Sequence, residues 1–163
     1  MSTPATDAAP AAAVPSRPRS VLLWRLLALF YDAWPALALW MLVGTLFTVA
    51  FTFSGHATRE NIAPFSAWQW ALWASNWLVT GLYATLSWQR GGQTLGMRPW
   101  RLRLQSRDGR PLRTGQLWRR YAVGTLSLLL GGLGFWWALW DRQRLTWHDR
   151  ASGTQLVRMP RVR

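Results

Sequence analysis

The apolar run from Val21 to Phe53 is the feature that most constrains this chain: along it the only ionisable side chains are Arg25, Tyr31 and Asp32. A helix of that length would extend about 50 Å at ~1.5 Å per residue, against a bilayer hydrocarbon core of about 30 Å. The run cannot all lie inside one bilayer crossing unless the helix is steeply tilted. We place residues 21–31 at or just inside one interface and the spanning part near 32–53. Pro35 removes one helical hydrogen bond and marks a point for a bend.

Two further apolar runs come after it. Ser66 to Trp88 is uncharged and has the length of one transmembrane helix. Trp68, Trp70 and Trp73 crowd one end and Trp88 closes the other, as in aromatic belts at the two interfaces. The third run, Tyr121 to Trp140, contains Gly124, Gly131, Gly132 and Gly134. Between the second and third runs, residues 89–120 hold nine Arg and one Asp. Within them PWRLRLQSRDGRPL alternates apolar and polar side chains before Asp108-Gly109, the pattern of a short hairpin or edge strand. TQLVRM near the C-terminus is a second strand candidate. Residues 1–20, rich in Ala and Pro, read as a disordered tail, and residues 160–163 as a basic end. A secretory signal is the competing reading of the start, but Arg17 and Arg19 lie late and the apolar stretch exceeds a signal core, which favours an uncleaved anchor.

Charge sets the expected orientation. The 19 basic residues against six carboxylates give a net charge of +13, and every basic residue is Arg. The 54–65 loop is neutral, whereas Arg residues flank the first run and crowd 89–120. The positive-inside rule therefore puts the N-terminus and 89–120 in the cytoplasm. A full third crossing would put the basic segment 141–163 outside. Charge bias and the glycine cluster together favour a third element that is re-entrant or strongly broken. The competing reading is a complete crossing whose glycines let helices approach closely.

Composition narrows the chemistry. Without Cys there is no disulfide, thiolate nucleophile or Cys-based zinc site, and with only His56 and His148 a histidine-rich metal centre is not expected. His148 and Asp149 alone, without a nucleophile, phosphate loop or metal spacing, do not make an enzyme. No cofactor is expected. The Arg-rich loop is better matched to anionic lipid headgroups than to nucleic acid, because its charge is what topology requires and its aromatics are Trp at membrane borders.

Arg25 and Asp32 are seven residues apart and share one helix face. Intramembrane ionisable groups cost roughly 2.5–3.5 kcal/mol each at a helix centre, so they are read as functional and expected to have partners. Arg25 can snorkel to headgroups; Asp32 cannot reach far, and is either a proton or cation site or half of a structural ion pair. Asn76 and Thr80, within the second run, are expected to hydrogen-bond a neighbouring helix.

Three patches carry a resemblance: RLLALFYD (25–32), GGQTLGMRPWRLRL (91–104) and RLTWHDRASGTQLV (144–157). In order and at these separations they resemble the RDD family of small bacterial membrane proteins, over roughly residues 18–159. The resemblance implies a charged trio of Arg25, Asp32 and Asp149. It also implies a motif after the second helix (Gly91, Gly92, Gln93, Thr94, Gly96) and a closing element with Arg150, Gly153 and Thr154. Its usual functional implication is a part in transport, with the ligand unidentified. The Ala/Pro tail, the Trp load and Pro99 depart from the family's pattern.

With this added, Asp149 is expected to pair with Arg25, and Asp32 with Arg150, Arg142 or Arg90. Gly91, Gly92 and Gly96 would make a tight turn, and strands 100–105 and 154–159 would pair beneath the bundle. The expected architecture is an all-α membrane protein, with residues 21–159 forming one RDD-like domain. It has two transmembrane helices, a third broken or re-entrant apolar segment, and a small cytoplasmic β-hairpin or strand pair. The expected location is the bacterial inner (plasma) membrane. Expected partners are anionic headgroups and either a homo-oligomer or another membrane subunit. The alternative function is a non-catalytic assembly protein whose charged residues are structural.

Overall fold

The computed structural model of the chain describes residues 21–57 and 60–160. The tail assigned to residues 1–20 lies outside the described residues, as does most of the basic end.

The first apolar run forms one helix, α1 (Val21–Phe53), continuous through Pro35. It is long and apolar enough to cross a membrane, and only 11% of its most apolar window is buried by protein. A helix this apolar and this uncovered needs lipid around it. Next comes α2 (Ala67–Gly91), where Ser66 caps the N-terminus by accepting from the Gln69 N–H at 3.2 Å. It runs back antiparallel along α1. Phe51 stacks edge-on against Trp68 near one end, and Trp40 Nε1 donates to Thr80 Oγ1 at 2.8 Å in the middle.

Gly92 ends α2 in the left-handed region at φ 69°, which turns the chain sharply. After a run of turns comes β1 (Leu102–Ser106), with Leu102, Leu104 and Ser106 buried and the residues between them exposed, as the alternation predicts. It forms no hairpin at Asp108-Gly109. The segment beyond that turn, RPLRTG, has no second apolar alternation and contains Pro111. The partner of β1 is instead β2 (Thr154–Arg158), antiparallel, with Leu104 opposite Leu156 and Gln105 opposite Gln155. The expected pairing of the two distant segments holds, with bounds shifted by one or two residues.

The third run is broken. α3 (Thr114–Leu129) begins seven residues before Tyr121, and α4 (Leu133–Trp140) leaves it at 96°. Gly131 and Gly132 sit at the break with φ of 69° and 78°, a conformation that costs other L-residues roughly 1–2 kcal/mol. Gly134 lets the two arms close. A Cβ there would lie 2.5 Å from Ser127 Oγ and 3.1 Å from Trp147 Cβ. The short α5 (Trp147–Ser152) packs against the first half of α3. The start of α1, the end of α2, the start of α3, α5 and the sheet therefore meet at one end of the molecule. The core cluster there is Ala28, Met97 and Leu102, surrounded by Trp24, Trp88, Trp100 and Leu156.

Candidate functional site

Two carboxylates, one at each side of this junction, have opposite surroundings. Asp149 lies in α5, whose start is a capping box: Thr146 Oγ1 accepts from the Asp149 N–H at 3.3 Å, and Asp149 Oδ2 accepts from the Thr146 N–H at 3.2 Å. This fixes the carboxylate before any partner arrives. Arg25, one turn into α1, donates to Oδ2 at 2.5 Å and to Thr146 Oγ1 at 3.2 Å. Arg120, from α3, donates to Oδ1 at 2.5 Å and to Thr154 Oγ1 at 2.9 Å. The Arg120 guanidinium also lies 5.5 Å from the centre of the Trp88 ring on α2. Asp149 is fully buried, and both arginines are nearly so. One carboxylate thus joins α1, α3, α5 and, through Thr154, the sheet.

Burial alone would raise the carboxyl of Asp149, but the guanidinium charges of Arg120 and Arg25 overcome it and hold the group well below the usual carboxylate range. Held so, it serves as a fixed anion, a poor acceptor for a proton in transit. The neighbouring His148 is also buried, its ring 4.8 Å from that of Phe135. Burial, followed by the charge of Arg120, pushes its imidazole down to about 3, and its Nδ1 has no hydrogen-bond partner. His148 is neutral at physiological pH.

Asp32, two turns along α1 from Arg25, was expected to find Arg150, Arg142 or Arg90, and it finds none of them. Its Oδ1 accepts from Tyr83 Oη at 2.9 Å and from the Gly96 N–H at 2.8 Å, and its Oδ2 from Thr94 Oγ1 at 2.5 Å. The reason is the turn after α2. Gly92 folds residues 93–96 back across α1, and the backbone of Gly96 seats so closely that a Cβ would lie 2.7 Å from Asp32 Cγ. Neutral donors fill the space that an Arg would need. Arg150 pairs with Asp141 instead, and Arg90 and Arg142 are exposed and form no ion pair among the described residues. Among the described residues Asp32 has no cationic partner.

The remaining motif residues are supports. Gln93 Nε2 donates to the Leu102 carbonyl at 2.7 Å, tying the turn to β1. Gly91 is the last residue of α2 with open space around it. Gly153 ends α5 at φ 63° and delivers Thr154 to Arg120. Thr80 meets Trp40 as an interhelical bond should, while the Asn76 Oδ1 is buried without a partner. Sequence reasoning missed Arg120, Tyr83 and Thr146. Thr146-Trp147-His148-Asp149 carries a legible capping-box spacing. Arg120 stood in a run of nine arginines with nothing to single it out. Groups of three or more His, Cys, Asp or Glu able to hold a metal are absent among the described residues.

Neither a curated protein nor a solved structure matches this chain. The model of the RDD family matches residues 19–153, a span that contains Arg25, Asp32 and Asp149. The chain, with its charged trio in these two centres, belongs to the RDD family.

Proposed function

We propose that this RDD-family chain is a multi-pass inner-membrane protein that helps move an ion or small solute, with Asp32 as its proton or cation site. In this reading α1 and α2 cross the bilayer, the bent pair of α3 and α4 re-enters it, and the N-terminus and the sheet are cytoplasmic. No enzymatic role is assigned. The observation that carries the reading is the contrast between the carboxylates. Asp149 is neutralised by two arginines, whereas Asp32 faces only neutral donors. A carboxylate without a fixed counter-charge, on a lipid-facing helix, is where a mobile cation is worth most. Arg25, Asp149 and Arg120 then hold the cytoplasmic end in register. One protomer of this size encloses little volume, so transport would call for an oligomer.

A second reading rests on the same donors. Three hydrogen bonds make Asp32 a clamp on the 93–96 turn, and the protein would then be a membrane assembly partner with purely structural charges. Asp32→Asn separates the two. The protein, reconstituted into vesicles loaded with a pH-sensitive dye, would be challenged with gradients of monovalent cations. The transport reading expects cation-driven proton movement that Asp32→Asn abolishes while thermal unfolding shifts by only a few degrees. Unchanged flux in the variant would remove Asp32 from the mechanism. Degradation of the variant, or a native protein that moves no proton, would favour the assembly reading.

A further inference from the structure

Leu78, Leu82, Leu86 and Arg90 succeed one another at four-residue spacing and so line one face of α2. The three leucines are 43–49% exposed. Among the described residues no helix covers this face, and it ends at an arginine. Beside Arg90 opens a cavity of about 450 Å³, lined among others by Tyr83, Leu86, Ser87, Leu95 and Arg98. Neither Arg90 nor Arg98 forms an ion pair among the described residues. The cavity is therefore lined by two exposed arginines without an ion-pair partner among the described residues, and by the hydroxyl-bearing Ser87 and Tyr83, at the foot of an apolar strip.

We infer that this cavity is a binding site for the phosphate headgroup of an anionic phospholipid of the cytoplasmic leaflet, with an acyl chain lying along Leu86, Leu82 and Leu78. A guanidinium matches a phosphate in charge and in the geometry of its donors, and two of them exceed what a zwitterionic headgroup needs. The strip of leucines distinguishes an anchored amphiphile from a dissolved anion, since it gives the chain apolar contact for about two helical turns below the headgroup. The site also abuts the Asp32 centre. The Leu95 N–H donates to Tyr83 Oη at 3.1 Å, and Tyr83 donates to Asp32 at 2.9 Å. A lipid seated against Leu95 and Tyr83 would brace the turn that holds Asp32. The site rests on the membrane orientation proposed above and is independent of any transport role for Asp32.

Native mass spectrometry of the full chain in a non-ionic detergent reads the site without any flux measurement. The probes are phosphatidylglycerol, phosphatidylcholine and inorganic phosphate. Phosphatidylglycerol should be retained in preference to phosphatidylcholine. Arg90→Gln with Arg98→Gln should weaken its retention about tenfold or more, the effect of losing charge-assisted hydrogen bonds. Arg107→Gln with Arg142→Gln, which removes the same charge from exposed positions elsewhere, should leave it within about twofold. Leu78→Ala with Leu82→Ala should weaken phosphatidylglycerol binding and leave any phosphate binding unchanged. Equal losses in the two arginine pairs would reduce the site to general charge attraction and overturn it. Phosphate binding that needs Arg90 and Arg98, with lipid retention indifferent to the leucines, would assign the cavity to a free anion and also overturn the lipid.

Discussion

Arg25 on the first helix donates to the carboxylate of Asp149, 124 residues further along the chain, at 2.5 Å. The contact fixes where the chain's end lies relative to its beginning. Arg120 takes the other carboxylate oxygen, so a single buried anion is shared by two buried cations and the cluster keeps a net positive charge. Such a centre is sensitive to removal of one partner, because the others are left charged and without water.

Asp149→Asn should be the most destabilising of the three neutralising changes, by about 3–5 kcal/mol, since it leaves two guanidinium groups facing each other. Arg25→Gln and Arg120→Gln should each cost less, because the remaining arginine still pairs with Asp149. Thermal unfolding in detergent would rank them. An Asp149→Asn protein as stable as the native one would show that the centre contributes little to the fold.

His148 makes stability depend on pH. Its ordinary value of 6.5 falls to about 3 in the folded protein, so between these values the unfolded chain binds a proton that the folded one does not. Stability should therefore fall on acidification below pH 6.5, by up to about 1.4 kcal/mol per pH unit, until about pH 3. Asp149, depressed below the usual carboxylate range, adds a second loss that begins near the unfolded value of about 4 and continues downwards. In His148→Leu the midpoint temperature should stay nearly flat from pH 6.5 to about 4.5. A slope as steep as that of the native protein would assign the acid sensitivity to another group.

Gly96→Ala and Gly91→Ala should behave oppositely. At Gly96 a Cβ would collide with the backbone and carboxylate of Asp32, so the turn must lift and its bonds to Asp32 break. A loss of about 1–3 kcal/mol is expected. Gly91 is helical with nothing near, and Ala there should be neutral or stabilise by a few tenths to about 1 kcal/mol. Urea or thermal unfolding of the two variants side by side checks this. Equal effects would mean that the turn does not press on Asp32.

The membrane orientation can be read with single cysteines, since the native chain has none. Met159 and Ala57 are exposed, unlike the buried Ser152. An impermeant thiol reagent should label Ala57→Cys in cells whose outer membrane alone has been made permeable, and Met159→Cys only after lysis. Labelling of Met159→Cys before lysis would carry α3 and α4 fully across and separate the sheet from the cytoplasm.

Local pattern was enough to find the apolar helices, the break at Gly131-Gly132 and the strands, because each depends on residues close in sequence. An uninterrupted run must be a helix in lipid, adjacent glycines release the backbone, and alternation sets a strand's two faces. The pairing of Arg25 with Asp149 was legible through the family's spacing and the expectation that both lie on one side. The pairing of the two distant strands was expected as well; the pattern also leaves a hairpin at Asp108-Gly109 open beside it, and Leu102–Ser106 takes the segment some fifty residues on. Two things waited for tertiary structure. Among nine arginines of similar surroundings, only the packing of α3 against α5 selects Arg120 for burial. And the partner of Asp32 was decided by distance and room. The close seat of Gly96 brings a backbone N–H, Thr94 and Tyr83 within hydrogen-bond reach and leaves no space for the arginine that charge alone would have chosen.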